Sequence, residues 1–456
     1  MAILLPTAVL GAAVREAAIT QATIAAEGSP IPILYGRVRL GARVFAAAVL
    51  DGALVLGCLW GVGPIDAVEA IEIDDAAPHA SVSVAHYLGT PTQGVDPTLA
   101  AAIPGYADTL VAAVDGEIVG IAYSVLLIPP RLGTGFPRVA ATVRGRQAWD
   151  PRENLVRWSD DLSRGEWSGY WVKPAITVGV ADPFGGLTAC RLASADKSGA
   201  PAANHSGVAI ATPVALPAGQ YVVSLYGRCL SGTLPIAYGV TDGATAGATL
   251  TATWMRFEVT VTVGAIGAGT TVFEVYEGTA GNPAWEIAAP QVRHASAAPG
   301  FVATTDVQIS PGSRYTRNPA LCSADFIRSP VYGQGLTVAD ADLGTAAAVC
   351  DELLADGLPR RTLDLALEQE LAAAQWADVL AGYAACFLAR EGAAVRLVPD
   401  RPAAATRALT AADVVEGSLR LRQRAQREAP TVVRVEWTDT TTTPRRTREV
   451  ATTCAL

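Results

Sequence analysis

Short apolar or alternating segments, each ended by glycine, proline or aspartate, recur along this chain and restrict it to strand-rich folds. Val55–Trp60 and Gly120–Pro129 are continuous apolar runs that indicate buried strands, and Ile31–Val44 alternates around two glycines, which predicts a half-buried hairpin. The chain has 43 glycines and 29 prolines, while only 17% of its 456 residues are charged. We therefore expect β-rich domains that cover part of their surface with neighbours.

A change in composition after Asp150-Pro151 marks a separate middle part. Charged residues become rarer there, and short β-like runs such as Gly219–Gly227 and Thr251–Val263 recur between turn residues, which indicates an antiparallel β-sandwich. With about 150 residues per domain, the length also predicts roughly three domains. The predicted division is residues 1–150, residues 151–305 and residues 306–456.

Helices are predicted mainly in the last part, which we expect to be α+β. In the first part the only candidate is a short helix at Glu16–Ala26. Asp342–Ala355 is amphipathic and is followed by a Gly stop and a proline. Leu371–Phe387 has an apolar stripe that we expect to pack against a sheet, and Thr431–Asp439 is a predicted strand. The stripe consists of Leu371, Trp376, Val379, Leu380, Tyr383 and Phe387. No packing signal follows in Thr440–Leu456. The predicted fold class is a β-rich, multidomain α+β protein with an inserted sandwich.

Charge and cysteine usage exclude several classes of function. Lys and Arg number 34 against 43 Asp and Glu, a net charge of −9, so a basic nucleic-acid footprint is not expected. The seven cysteines form no CxxC pair and lie at no ligand spacing from a histidine, which favours buried free thiols and no metal site. The N-terminus lacks the basic start of a signal peptide, and Val44–Gly63 is interrupted by Asp51 and glycines. We expect a soluble protein without a transmembrane segment.

Catalytic motifs are not found in the sequence. Gly333-Gln334-Gly335 lacks the third glycine of a dinucleotide loop, and no GxSxG, HExxH, phosphate-loop or EF-hand pattern occurs. Glu274, Glu277 and Glu286 are the carboxylates from which a glycosidase pair would be drawn. Alternation along one strand, however, places Glu274 and Glu277 on opposite faces. We expect neither an enzyme nor a cofactor.

Aromatic residues are the most distinctive feature of the middle part. They are Trp158, Trp167, Tyr170, Trp171, Trp254, Tyr276 and Trp285. Such rings stack on the apolar faces of sugars, but they also fill the space between two sheets. Trp167, Tyr170 and Trp171 lie beside Gly165 and Gly169 in a predicted loop. These three residues are the candidate glycan-binding site.

The flanking parts contain motifs that resemble phage tail tip proteins of the lambda J type. Asn318–Gly333 (NPALCSADFIRSPVYG) is similar to a stretch of that family, as is the helix segment Val349–Glu352. Arg396–Pro402 is similar to its "QDRP" turn, with Pro399 in place of Gln. Further similar segments are Ile31–Val38, His86–Pro91, Val143–Arg146, Asp150–Arg152 and Val433–Asp439.

This resemblance implies a structural baseplate hub that closes the distal end of the tail tube and contributes to host attachment. It implies three copies around the tail axis, contacts with distal tail and tape measure proteins, synthesis in the host cytoplasm and a final place in the virion tail tip. The matching residues are structural in that family, so no catalytic role is carried over.

In that family Asp150-Pro151-Arg152 would lead almost directly to Tyr315, so the middle part is an insertion. Asn154–Ser163 with Trp167 resembles the opening of jelly-roll modules in phage tail and fibre proteins, and Trp285–Val292 resembles their closing strand, with Glu286 in place of Gly. Such modules are often described as carbohydrate-binding. One alternative function is therefore that the insertion binds a host-surface glycan as receptor. A second is a glycan-degrading tail enzyme.

Overall fold

The computed structural model describes residues 9–10, 30–104, 111–114, 117–130, 136–194, 197, 205–240, 244–279, 281–401, 432–439 and 446–453. Half of these residues are in strands. The first part contains strands β1 (Val9–Leu10), β2 (Ile33–Tyr35), β3 (Arg37–Gly41), β4 (Arg43–Leu50), β5 (Ala53–Val62), β6 (Ile65–Ile73) and β7 (Ser83–Leu88), helix α1 (Pro97–Ala102), and strands β8 (Val111–Val114), β9 (Glu117–Ile128) and β10 (Val139–Asp150).

Ten strands follow, and the described residues between them form no helix. They are β11 (Trp167–Trp171), β12 (Ala175–Val180), β13 (Ala189–Ala193), β14 (Ser206–Ala211), β15 (Gly219–Cys229), β16 (Leu234–Val240), β17 (Ala244–Leu250), β18 (Met255–Val263), β19 (Thr271–Glu277) and β20 (Ala284–His294). The last part mixes both element types. It contains β21 (Gly312–Tyr315), α2 (Pro319–Arg328), β22 (Thr337–Val338), α3 (Asp340–Asp351), β23 (Leu365–Leu367), α4 (Ala373–Tyr383), β24 (Cys386–Glu391), β25 (Ala394–Pro399), β26 (Val432–Asp439) and β27 (Arg446–Thr453).

The described scaffold around the middle part contains two large sheets, two small sheets (β2-β23 and β22-β25-β24) and helices α1 to α4. One large sheet has the order β1-β4-β5-β9-β7, with β8 also on β9, and the other has the order β21-β10-β3, with β6 also on β10. Leu56 and Trp60 of β5 belong to a core shared with the second sheet. Val55 and Leu59, on the other face of β5, pack toward α2, α3 and α4. This strand is covered on both faces, which explains its continuous apolar run.

The middle part is the predicted β-sandwich. Its two antiparallel sheets have the orders β11-β14-β19-β16-β17 and β12-β13-β20-β15-β18, and we call them the first and the second sandwich sheet. A separate core lies between them and includes Trp167, Phe273 and Trp285. Every second side chain of these strands points into this core, since successive side chains alternate between the faces of a sheet. The protein is thus a β-rich α+β fold that contains a sandwich.

The sandwich begins and ends at one place on the scaffold. Asp150, the last residue of β10, pairs with Gly312, the first residue of β21. Beyond this pair, Asn154 forms a β-bridge with Ile309. An insertion whose ends are adjacent leaves the surrounding strands in place, which suits a loop insertion. The division at residues 150 and 305 stays a prediction, and hydrogen bonds to the start of the sandwich continue as far as Ile309.

The predicted hairpin at Ile31–Val44 is wrong. The segment contains parts of three strands, and none of them pairs with another. β2 pairs with β23, β3 with β10, and β4 with β5. Alternation of apolar residues indicates an extended chain but not its partner, because strand partners far away in sequence also satisfy the pattern.

The two helices predicted in the last part exist but are shorter, and the second one is buried on a different face. α3 ends at Asp351, and α4 covers Ala373–Tyr383. The buried residues of α4 are Ala377, Leu380 and Ala381. Most of the predicted apolar stripe is exposed or only partly buried, Leu380 excepted. Small side chains allow a helix to approach its neighbours closely, so the alanine face of α4 packs inward. The helix predicted at Glu16–Ala26 lies outside the described residues.

The C-terminal residues form a separate unit in which β26 and β27 pair from Val432 with Thr453 to Asp439 with Arg446. The strand predicted at Thr431–Asp439 is confirmed, whereas β27 was not expected. Cys58, Cys190, Cys229, Cys322, Cys350 and Cys386 are buried free thiols, as predicted. Cys454 lies outside the described residues. In the ranges that the structure describes, no helix has the length and apolar character needed to cross a membrane.

Candidate functional site

Two tyrosines stack on the outer face of the first sandwich sheet. Tyr170 of β11 and Tyr276 of β19 both pair with Gly207 of β14, which lies between them. Their ring centroids are 4.2 Å apart and the rings are nearly parallel, with an angle of 13°. A Cβ at position 207 would lie 2.5 Å from the Cβ of Tyr276, so no larger residue fits there. Gly207 therefore allows the two rings to meet across the strand between them.

Trp171 lies beside this pair of tyrosines at the end of β11. Its side chain is 57% exposed, and its ring lies edge-on to Tyr170 with a centroid distance of 6.3 Å. Its backbone has a φ of +60°, which is rare for a residue with a side chain. Strained backbone of this kind is often retained where a side chain has a function. We call Tyr170, Trp171 and Tyr276 the aromatic surface.

Two polar groups adjoin the aromatic surface. The ring of His205 lies 4.8 Å from that of Tyr276. Glu274 lies two residues before Tyr276 in β19, so its side chain points to the same face of the sheet. It is 5% exposed. Burial, followed by the nearby Tyr170 and then Glu274, raises the pKa of the Tyr276 hydroxyl, which is also hydrogen-bonded to the side chain of Thr245. The surface thus combines ring faces with hydroxyl and imidazole groups, while the neighbouring Glu274 carboxylate is buried.

Trp167 does not belong to this surface, and the predicted loop that contains the three candidate residues is a strand. Residues 167–171 form strand β11, and Trp167 is fully buried, edge-on to Phe273 at a centroid distance of 5.9 Å. Its Nε1 donates a hydrogen bond to the carbonyl oxygen of Trp158 at 3.2 Å. Strand alternation directs Trp167 into the core and Tyr170 outward, and the left-handed backbone of Trp171 accompanies its exposure at the strand end.

Sequence reasoning missed the pairing of Tyr170 with Tyr276 and gave no role to His205. The two tyrosines are more than 100 positions apart in sequence, so only the register of β11, β14 and β19 brings them together. The remaining aromatic residues are elsewhere. Trp285 is fully buried in the sandwich core, and Trp254 contacts Arg228 of the second sandwich sheet.

The three candidate carboxylates do not share a cleft. Glu274 and Glu277 lie three residues apart on β19 and therefore on opposite faces. Glu277 pairs with Lys197 and accepts a hydrogen bond from Ser194; burial by itself raises its pKa, but these partners and Thr279 lower it overall. Glu286 lies in the other sheet, between Arg191 and Arg228.

The motif residues of the scaffold meet in one buried network. Asp325 of α2 accepts hydrogen bonds from the hydroxyls of Tyr35 and Tyr332 at 2.7 and 2.9 Å, and from Nε of Arg146 at 3.3 Å. Burial, followed by the charge of Asp325, raises the pKa of both tyrosines. Asn318 caps α2 by accepting from the backbone N–H groups of residues 320 and 321. The motif thus specifies the packing of α2 against the sheets.

Comparison with known proteins leaves the family open. No family model matches the sequence, and neither does any curated protein. Among solved structures, the chain is similar to "Family 16 Carbohydrate Binding Module-2", with 12% identity and a TM-score of 0.21, over 31% of this chain and 99% of that one. It is similar to TmCBM61 in complex with β-1,4-galactotriose, with 20% identity and a TM-score of 0.22, over 31% and 99%.

A third similar structure is the enzymatically active domain of tailspike protein 4 from bacteriophage CBA120. The identity is 13% and the TM-score 0.24, over 32% of this chain and 22% of that one. Identities and TM-scores this low carry no conclusion about family or function. A function therefore has to be inferred from the residues themselves.

Proposed function

We propose that this protein is a structural component of a phage tail tip whose sandwich binds a glycan on the host surface. The observation that carries the glycan proposal is the exposed Trp171 beside the stacked pair of Tyr170 and Tyr276. Aromatic faces pack against the apolar faces of sugar rings, while neighbouring polar groups bond to hydroxyls. His205 and the hydroxyl of Tyr276 supply such polar groups at this place. The proposed role is binding without catalysis, since Glu277 and Glu286 are engaged in ion pairs.

The tail-tip part of the proposal is supported by the motif network and by two exposed apolar pairs on the scaffold. Val379 and Tyr383 lie one turn apart on α4 and are 40% and 48% exposed. Phe387 and Val398, which are cross-strand partners in β24 and β25, are 61% and 38% exposed. Exposed groups of large apolar side chains mark protein interfaces. We propose that the pair of Phe387 and Val398 contacts another tail subunit and that three copies assemble around the tail axis.

Replacing Trp171 with Ala is expected to weaken glycan binding about fivefold. A stacked ring contributes on the order of 1 kcal/mol, which corresponds to about fivefold in the dissociation constant. Because each such contact is weak, we expect the wild-type chain to bind with a dissociation constant of about a millimolar. The measurement is calorimetric titration of the full chain with neutral hexasaccharides of glucose, galactose and xylose. Trp171→Phe, which retains a ring, should keep most of the affinity.

Trp149→Ala is the matched control for this experiment. Trp149 is 40% exposed but belongs to β10 of the scaffold. It should leave glycan binding unchanged. The glycan proposal fails if none of the hexasaccharides binds to the unaltered chain, or if the Trp171 and Trp149 variants lose affinity equally.

Replacing Phe387 and Val398 together with Ser is expected to dissociate the assembly. Burying two such side chains at an interface contributes a few kcal/mol in each contact, so their loss shifts assembly to at least tenfold higher concentration. Sedimentation velocity over a concentration series gives the measurement. Leu358→Ser is the control, because Leu358 is 62% exposed and lies in the turn after α3. A wild-type chain that stays monomeric throughout the series contradicts this part of the proposal.

A further inference from the structure

The outer face of the second sandwich sheet carries a charged row that is separate from the aromatic surface. Arg191 of β13 and Arg228 of β15 are both cross-strand partners of Glu286 in β20. Arg191 donates to one carboxylate oxygen of Glu286 from Nε at 2.9 Å and from Nη2 at 2.7 Å. Arg228 donates to the other oxygen from Nε at 2.6 Å. We call these three residues the arginine row.

Glu286 fixes both guanidinium groups at the protein surface. Its side chain is 0% exposed, whereas those of Arg191 and Arg228 are 43% and 28% exposed. A guanidinium group has five N–H donors, and the bonds to Glu286 use only part of them. Within the described part of the chain, the terminal nitrogens of Arg228 have no acceptor. The row therefore presents fixed, unused donors.

The local charge favours an anion at this place. Two arginines and one glutamate leave a net charge of +1 in the row, although the whole chain carries −9. Hydrogen bonds between a guanidinium group and a carboxylate, sulfate or phosphate are about twice as strong as neutral ones. Because Glu286 already orients both side chains, little conformational entropy is lost when an anion binds.

Aromatic rings lie next to these donors. The guanidinium carbon of Arg228 is 4.8 Å from the ring centroid of Trp254. Tyr226, two residues earlier on the same face of β15, contacts the ring of Phe184 edge-on at 5.0 Å. Trp254 and Tyr226 are half-buried, so part of each ring is accessible. A site with anion-binding donors beside aromatic rings suits an acidic sugar, which has both a charged group and an apolar ring face.

We propose that the arginine row binds an acidic sugar, that is, a pyranose carrying a carboxylate, sulfate or phosphate group. The acidic group bonds to the free N–H donors of Arg191 and Arg228, and the sugar ring packs beside Trp254 and Tyr226. This site is on the opposite sheet of the sandwich from the aromatic surface. It adds a preference for charged glycans to the proposed function, and it does not depend on Trp171.

The test compares an acidic oligosaccharide with its neutral counterpart. Hexagalacturonate carries ionised carboxylates where its fully methyl-esterified form carries neutral esters on the same sugar backbone. The full chain should bind the acid about tenfold more tightly in low salt. Arg191→Gln and Arg228→Gln should each remove most of this preference. Galactohexaose and its sulfated and phosphorylated forms then identify which acidic group is preferred.

Arg164→Gln is the matched control, because Arg164 lies before β11 of the first sandwich sheet and pairs with Asp161 at the surface. It removes the same charge but should retain the preference. Equal binding of every acidic probe and its neutral form by the unaltered chain overturns the proposal, and this comparison needs no variant. An equal loss in the Arg164 variant also overturns it, since net charge would then be the cause. Trp171→Ala should leave the preference for acidic probes intact. Failure of this proposal can therefore be told apart from failure of the proposed function.

Discussion

Asp325→Ala is expected to destabilise the scaffold by about 3 to 5 kcal/mol, since removal of one partner from a buried ion pair leaves the other charge uncompensated. The side chains of Asp325 and Arg146 are only 16% and 10% exposed. The change also leaves the hydroxyls of Tyr35 and Tyr332 without their acceptor. Denaturant unfolding followed by circular dichroism measures the loss.

Two further variants separate the causes of this effect. Asp325→Asn keeps a hydrogen-bond acceptor but removes the charge, so an intermediate loss is expected. Asp75→Asn is the control, since Asp75 pairs with Arg138 at a site where both side chains are exposed, at 68% and 76%. Exposed ion pairs contribute about 1 kcal/mol or less. If the Asp325 and Asp75 variants are equally stable, the network does not hold the scaffold together.

Arg152→Gln is expected to have a comparable effect at the junction between scaffold and sandwich, about 3 to 5 kcal/mol. Arg152 is 2% exposed and donates to both carboxylate oxygens of Asp150 at 2.9 Å. It also donates to Asp351 of α3 at 2.8 Å and to the carbonyl oxygen of Phe301 at 3.1 Å. Because one side chain joins β10, α3 and the segment after β20, its loss should uncouple the unfolding of the sandwich from that of the scaffold.

The stability that the Arg152 variant loses relative to the wild type should depend on pH, because Arg152 controls the pKa of Asp150. Burial by itself raises the pKa of Asp150, but the charge and hydrogen bonds of Arg152, together with Arg314, lower it below its ordinary value of 3.8. In the wild type, Asp150 therefore stabilises the fold above about pH 4, and this contribution is lost as the pH falls through the lowered pKa. In the variant, burial dominates and the pKa rises, so that the ionised carboxylate destabilises the fold.

The stability deficit of Arg152→Gln should accordingly be largest at pH 7 and begin to decrease above about pH 4, as the pH falls through the raised pKa of Asp150 in the variant. It should decrease further below about pH 4, where the wild type loses the contribution of Asp150. Urea unfolding of wild type and variant at a series of pH values gives the difference. Arg256→Gln serves as control, because Arg256 pairs with Glu258 at the surface. It should have a small deficit that does not grow with pH. A deficit for the Arg152 variant that is the same at pH 7 and pH 4 contradicts the role assigned to Asp150.

The sequence alone determined the properties that depend on local periodicity. The runs at Val55–Trp60 and Gly120–Pro129 became β5 and β9, and the ten-strand sandwich followed from short strands between turn residues. Glu274 and Glu277 lie on opposite faces, as alternation required. These outcomes are readable from sequence because side-chain direction along a strand repeats every two residues, whatever the strand pairs with.

Only the tertiary structure decided which strands are neighbours and which faces are covered. Ile31–Val44 was extended as expected, but its strands pair with residues as distant as Leu367. The same holds for the candidate sites. Trp167 is covered and Trp171 is not, although they are four residues apart, and Tyr170 meets Tyr276 across Gly207. Strand register and the covering of a face depend on the free energy of contacts between distant segments, which local patterns do not contain.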